Sequence, residues 1–239
     1  MGQFLVVADA RGSIIAKKLL SARDPEIEVS WAGPGAGSTA AAGPAPATSD
    51  LPGFVDFLWL GVVHIWTGYD HLLFLFALLV VCRTFRSIVV IVTCFTLAHS
   101  LTLALATLDF VRLPSRVVEP LIAATIVFVG IENLLCRGQE PRGRWVLTFV
   151  FGLIHGFGFA SVLRDLGVGG NGSGILLPVF SFNLGVEVGQ VAIAAVVLPL
   201  VWWLRKNEQF VARGVPALSG LVTAAGLYWL IERISRAWA

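Results

Sequence analysis

Residues 54–82 read FVDFLWLGVVHIWTGYDHLLFLFALLVVC, an apolar run that also holds two histidines and two aspartates. An α-helix needs about 20 predominantly apolar residues to cross a hydrocarbon core about 30 Å thick. The run is long enough for such a crossing, so it predicts a membrane-spanning helix with ionisable groups in its interior.

The composition of the whole chain agrees with this prediction. Of its 239 residues, 56% are hydrophobic and 13% are charged, whereas a soluble domain has about 25% charged residues. The formal net charge is +2, and without a Lys- or Arg-rich run the chain is not expected to bind nucleic acid. Its three cysteines form no CxxC pair, so neither a disulfide framework nor a zinc knuckle is predicted.

Six apolar runs follow one another from Leu51 onward, separated by short segments with turn or charge signals. They comprise residues 54–82, 88–108, 116–136, 145–163, 175–204 and 216–234. We therefore predict an all-α, polytopic membrane bundle of six, or seven, transmembrane helices, with antiparallel neighbours because the loops are short. This transmembrane domain is assigned to residues 51–239.

Residues 1–50 are assigned to a low-complexity, Gly/Ala/Pro-rich N-terminal segment and linker. Between residues 31 and 50 nearly every residue is Gly, Ala, Pro, Ser or Thr, a composition that cannot bury a core.

The charges of the short loops predict the orientation, because Lys and Arg concentrate on the cytoplasmic side. The first, third and fifth loops hold eight of these residues, whereas the other loops and the C-terminus hold five. Both termini are therefore predicted to lie outside.

All four histidines of the chain, His64, His71, His99 and His155, fall inside apolar runs. Ionisable groups at membrane depth are costly, so they usually face the bundle interior and mark a substrate or ion pathway. Four carboxylates lie in or near the same runs: Asp70, Glu119, Glu132 and Glu187.

The first run places His64, Gly68 and His71 on one helical face, at positions i, i+4 and i+7. Asp70 lies about 100° round the helix from His71. It either shares the same cavity or orients a ligand, as a carboxylate that accepts a hydrogen bond from a metal-binding histidine does.

The fifth run carries a similar polar stripe, formed by Asn183, Glu187 and Gln190. Gly185 and Gly189 are four residues apart on that run, a spacing that lets another helix approach closely.

The remaining polar residues in the apolar runs each allow more than one interpretation. His155 is surrounded by glycines in FGLIHGFGFA (151–160), where a ligand or a partner helix can approach. His99, followed by Ser100, is read either as a hydrogen-bonded helix contact or as a ligand. Glu119 lies near the start of the third run and Glu132–Asn133 near its end, so they are expected towards opposite membrane faces.

Imidazole together with carboxylate suits nickel, cobalt, zinc or iron, whereas an all-oxygen set suits magnesium or calcium. Haem ligation by histidines on different helices is a better-supported alternative to metal-ion binding than hydrolysis is. No GxSxG elbow supports hydrolysis, no P-loop motif is present, and no catalytic residue is predicted. The candidate metal ligands are His64, Asp70, His71, His99, His155 and Glu187, with Glu119, Glu132, Asn133, Asn183 and Gln190 in support.

Five segments together resemble the HupE/UreJ family of bacterial membrane proteins. They are HIWTGYDH (64–71), FTLAHSLTL (95–103), VVEPLIAATIVFVGIEN (117–133), FGLIHGFGFA (151–160) and FNLGVEVGQ (182–190). The resemblance implies a compact bundle of six or seven helices and a secondary permease for nickel or cobalt, serving hydrogenase or urease maturation. His64, Asp70 and His71 match the family's first-helix motif, here His-x5-Asp-His, and the other candidates match its remaining polar positions.

Two functions are therefore carried forward. The first is a secondary transporter or facilitator of a divalent transition metal, nickel by preference and cobalt next, in the bacterial inner membrane. The second is a non-transporting accessory subunit of a larger, energy-converting membrane complex. No tightly bound cofactor is expected, and a nickel, cobalt or zinc ion is the expected substrate or ligand. The expected partners are the lipid bilayer, the metal ion and, for the second function, that complex.

Overall fold

The computed structural model describes residues 3–8, 14–20, 53–136, 139–141, 143–169 and 174–238. The chain divides into two compact units, 1–48 and 49–239. In the first unit, strands β1 (Gln3–Ala8) and β2 (Ile14–Leu20) form an antiparallel pair with Gln3 opposite Leu20. The sequence reading placed no secondary structure here, because both apolar segments are short. The linker predicted at 31–50 lies outside the described residues.

Every secondary-structure element in the described residues of the second unit is a helix. Its helices are α1 (Phe54–Thr67), α2 (Tyr69–Leu79), α3 (Phe85–Thr107), α4 (Ser115–Leu135), α5 (Arg144–Gly156), α6 (Ala160–Asp165), α7 (Leu176–Leu204) and α8 (Val215–Trp238). A π-helical turn, Phe210–Gly214, precedes α8.

Within the described residues, four helices are long and apolar enough to cross a membrane: α3, α4, α7, and α8 with its π-helical turn. The first run adds a fifth if α1 and α2, which meet at an angle of 72°, count as one span. The predicted six or seven spans are therefore not confirmed. The difference arises in the fourth run, where the Gly-rich sequence 156–159 separates α5, of 13 residues, from the short α6.

The bend in the first run falls at Gly68. Glycine is a poor helix former, and here it takes an extended conformation, with φ −79° and ψ 90°, while its N–H still donates to His64 O at 2.9 Å. A Cβ at this position would lie only 2.7 Å from the same oxygen. The bend therefore depends on glycine, and it separates His64 on α1 from His71 on α2.

Helix α1 runs alongside α7 in the same direction. Leu58 lies next to Gly185. Further along both helices in the direction of the chain, Ile65 lies next to Gly189. The far ends also meet, because Trp202 Nε1 donates to Cys82 O at 3.2 Å. The first and fifth runs therefore cross in the same direction, as expected for two runs with three antiparallel runs and four loops between them.

Glycines mediate three close helix pairs. A Cβ at Gly61 or Gly185 would clash with backbone oxygen on the partner helix, in the α1–α7 pair. The same holds for Gly156 between α5 and α3, and Gly130 contacts Thr223 between α4 and α8. Small residues of this kind let backbones approach closely where helices associate in a bilayer. The small-residue face predicted on the fifth run is thus the surface that packs against α1.

The outside of the bundle carries many large apolar side chains. Val196 is 75% exposed, Leu221 68% and Ile231 64%, although each lies in the middle of a long helix. Large apolar side chains covering helices of this length suit lipid rather than water. The second unit is therefore an integral membrane protein.

Replacing Gly185 by Ala is expected to lower the stability of the bundle, because the added Cβ would overlap Leu58 O and no rotamer change relieves that overlap. Overpacking of this kind costs about 1–3 kcal/mol. The measurement is the temperature at which detergent-purified protein loses its monodisperse elution peak. The matched control is Gly220→Ala on α8, where a Cβ meets nothing within 4 Å; equal melting of the two variants would contradict the prediction.

Candidate metal site

Three histidines from three helices meet in the bundle core. His64 comes from the last turn of α1, His71 from the first turn of α2 and His99 from the middle of α3. One ring nitrogen from each can be chosen so that all three lie within 4.8 Å of one another. We call this group the histidine trio. The bend at Gly68 brings the first two together, with ring centroids 4.7 Å apart.

Two nitrogens of the trio have no hydrogen-bond partner although they are buried: Nε2 of His64 and Nε2 of His99. Leaving a buried polar atom unpaired costs about 1–3 kcal/mol, and such atoms are uncommon in native proteins. A bound cation would satisfy both nitrogens at once.

The tautomer of His99 follows from its neighbour on α7. The side-chain N–H of Asn183 donates to Val179 O at 2.8 Å, which fixes the orientation of the amide. Asn183 Oδ1 then faces His99 Nδ1 at 2.9 Å, and an amide oxygen only accepts. His99 therefore carries its proton on Nδ1 and a lone pair on Nε2. An orienting contact of this type is usual for a histidine that binds a metal.

The fourth histidine joins the same cluster from α5. His155 Nδ1 lies 3.4 Å from His71 Nε2, and His155 Nε2 lies 2.9 Å from Thr125 Oγ1 on α4. The close packing of α5 on α3 at Gly156 brings this ring to its position.

Aromatic rings surround the cluster. Phe159 and Phe182 are stacked with centroids 4.7 Å apart, and His64 lies 4.4 Å from the first of them. On the other side, Phe74 and Phe95 lie 5.2 and 5.3 Å from His155. These walls limit the access of water, and electrostatic interactions are stronger in such an environment.

The structure places the predicted carboxylates Asp70 and Glu187 away from the trio. Asp70 forms a two-pronged ion pair with Arg233 on α8, at 2.7 and 2.9 Å. The angle of about 100° between consecutive helical residues turns Asp70 towards α8 while His71 faces the core. Glu187 Oε1 accepts from Thr93 Oγ1 at 2.6 Å.

The supporting polar residues fall in different places. Asn183 touches the trio, whereas Gln190 Oε1 accepts from Thr96 at 3.2 Å and so links α7 to α3. Glu119 is exposed, and its backbone oxygen accepts from Arg233 at 3.1 Å.

Glu132 and Asn133 belong to a second polar group, at the other end of the bundle. Asn133 Oδ1 accepts from Arg144 at 2.7 Å, its amide N–H donates to Ala77 O at 2.7 Å, and Glu132 lies 3.3 Å from the same arginine. Arg144 and His155 are eleven residues apart on α5, or about 16 Å along a helix. This group is therefore separate from the trio.

Five residues of these networks were missed by the sequence analysis: Thr93, Thr96, Thr125, Arg144 and Arg233. Arg144 and Arg233 were counted only as loop or terminal charges, yet Arg144 is 3% exposed. Thr125 was not singled out at all, because a threonine in an apolar run normally bonds to its own helix. Only the helix packing shows what each one contacts.

The helix bundle and the trio define the class of protein: an integral membrane protein with a candidate metal site inside its helices. The family model described as HupE / UreJ protein matches residues 45–233. The chain therefore belongs to the HupE/UreJ family, which confirms the resemblance found in its motifs. No curated protein and no solved structure matches it.

The Asp70–Arg233 pair is expected to stabilise the contact between α2 and α8. Asp70→Asn and Arg233→Gln should each lower the melting temperature, and the double variant should lose less than the sum of both, because each single change leaves one charge unpaired. Groups in direct contact show coupling free energies of about 0.5–3 kcal/mol.

The measurement is a double-mutant cycle in detergent. The matched control is the more exposed i,i+4 pair Glu232–Arg236 on the same helix, for which a coupling of about 0.3–0.5 kcal/mol is typical. A coupling for Asp70–Arg233 no larger than that of the control would show that this partly buried pair does not stabilise the bundle.

Proposed function

We propose that the chain is a secondary transporter or facilitator of a divalent transition metal ion, nickel by preference and cobalt next. The observation that carries the proposal is the convergence of three imidazoles on one point with two buried nitrogens unpaired. Imidazole is a ligand for nickel, cobalt and zinc, whereas magnesium and calcium prefer oxygen. Membership of the HupE/UreJ family supports the same choice.

The charge of the site suits release as well as binding. The trio contains no carboxylate, because Asp70 is held by Arg233 and Glu187 by Thr93. A bound divalent ion would thus keep most of its charge in apolar surroundings, which limits its affinity. Transport requires a site that binds firmly enough to capture the ion and weakly enough to release it.

The driving force proposed is the ion gradient together with the membrane potential. An inside-negative potential stabilises each positive charge that crosses by about 2.3 kcal/mol per 100 mV. We place the protein in the bacterial inner membrane with both termini outside, and we propose that the fourth run, α5 with α6, completes a set of six crossings.

A second candidate function is an accessory subunit of a larger membrane complex. It is favoured by one feature: outside the trio, several of the polar residues are satisfied by neighbouring helices, as in Asp70–Arg233, Glu187–Thr93 and Asn133–Arg144. A scaffold needs contacts of this kind and no binding site. The unpaired nitrogens of the trio favour transport instead.

The purified protein is expected to bind one nickel ion per chain, and His99→Ala should weaken that binding by more than about 100-fold. Removing a group that only hydrogen-bonds to a metal ligand weakens metal binding about 10- to 100-fold, and here a ligand itself is lost. Binding is measured by titration calorimetry with Ni²⁺, and uptake in proteoliposomes with an inside-negative potential.

The control variant is Ser219→Ala, which also removes a buried polar atom, but one that donates to Val215 O of its own helix. It should bind and transport like the unmodified protein. Nickel binding without uptake would favour the accessory function. No binding of Ni²⁺, Co²⁺ or Zn²⁺ would overturn the site itself.

A further inference from the structure

The hydroxyl of Thr125, on α4, has one arrangement of hydrogen bonds that satisfies both of its contacts. It lies 2.7 Å from Ile122 O, and a carbonyl oxygen only accepts, so the single hydroxyl hydrogen is used there. Oγ1 must therefore accept from His155 Nε2, 2.9 Å away. This contact places the proton of His155 on Nε2.

The arrangement continues to His71. With its proton on Nε2, an uncharged His155 has a lone pair on Nδ1, which faces His71 Nε2 at 3.4 Å. That contact is a hydrogen bond only if His71 carries its proton on Nε2. The lone pair of His71 is then on Nδ1. Charged forms of either ring are disfavoured, because Phe74 and Phe95 enclose His155 and burying an unpaired charge is costly.

Two rings of the trio are thus oriented from outside it. Asn183 on α7 sets His99 directly, and Thr125 on α4 sets His71 through His155. In both cases the chain of donors ends on a backbone carbonyl, at Val179 and at Ile122, which cannot reverse its role. The direction of every hydrogen bond in the chain is therefore determined.

We propose that Thr125 is a positioning residue that acts through His155 to set the tautomer of His71, so that His71 binds the metal ion through Nδ1 and His155 orients it without being a ligand. The inference rests on the function proposed above and deepens it. It reassigns His155, which the sequence had placed among the ligands, and gives a role to a threonine that nothing in the sequence marked.

The test compares Thr125→Val, which keeps the shape of the side chain and removes the hydroxyl, with Thr125→Ser, which keeps the hydroxyl. Nickel affinity of the full chain, measured by titration with Ni²⁺, is expected to fall about 10- to 100-fold in Thr125→Val, the usual effect of losing a group that orients a metal ligand. Thr125→Ser should remain close to the unmodified protein.

The second readout is the ¹⁵N NMR spectrum of histidine-labelled protein, in which the chain's four histidines give four ring pairs. Single His→Gln variants assign them. In the metal-free protein His71 and His155 should both be protonated on Nε2, and Thr125→Val should remove that preference in both rings. On adding Zn²⁺, the Nδ1 signal of His71 should shift to the metal-bound position while the Nδ1 signal of His155 should not.

Several results would overturn the proposal. They are equal nickel affinity for Thr125→Val and the unmodified protein, equal weakening in both Thr125 variants, a metal-free His71 protonated on Nδ1, or a metal-bound Nδ1 in His155. The NMR result on the unmodified protein decides the matter even if Thr125→Val does not fold. If the unmodified protein binds no metal ion, the proposed function fails together with this inference; if it binds and only the Thr125 results differ, this inference alone fails.

Discussion

Every polar group inside a bilayer must find its partner within the protein, because no water is available in the hydrocarbon core. This constraint explains why Asp70 faces Arg233, why Glu187 faces Thr93 and why Asn133 holds Arg144. It also makes the exceptions informative. Among the buried polar atoms without a partner, Nε2 of His64 and Nε2 of His99 belong to two rings of the same trio, and this makes the trio a candidate binding site.

Close helix packing makes that site possible. Glycines let α1 approach α7, and α5 approach α3, until backbone contacts backbone. Imidazoles are short side chains, so four of them meet only if the helices carrying them are this close. The bend at Gly68 adds the last requirement, since it allows both His64 and His71 of one run to reach the same point. The glycines of these segments thus allow the helix packing and the bend that bring the histidines together.

The charged side chains of the core lie apart from the histidine trio. The fixed charges of the core are paired with each other, at the α2–α8 contact and at the start of α5. The trio is left with uncharged ligands, and amide and hydroxyl groups orient two of its rings. Under the proposed function, uncharged imidazoles would favour metals that accept nitrogen ligands, without the strong attraction that a carboxylate would add.

Much of this protein follows from its sequence alone. Apolar runs of sufficient length determine that the chain lies in a membrane, the position of all four histidines inside those runs identifies the ring cluster, and five motifs identify the family. Sequence periodicity could not determine which polar residues share a cavity, because that depends on which helix lies opposite each face. Three features arise from packing between segments distant in the chain. They are the ion pair of Asp70 with Arg233, the division of the fourth run at its glycines, and the contact of Thr125 with His155. Tertiary structure therefore decided which polar side chains meet, because hydrogen bonds act over about 3 Å, a distance that only the packed helices define.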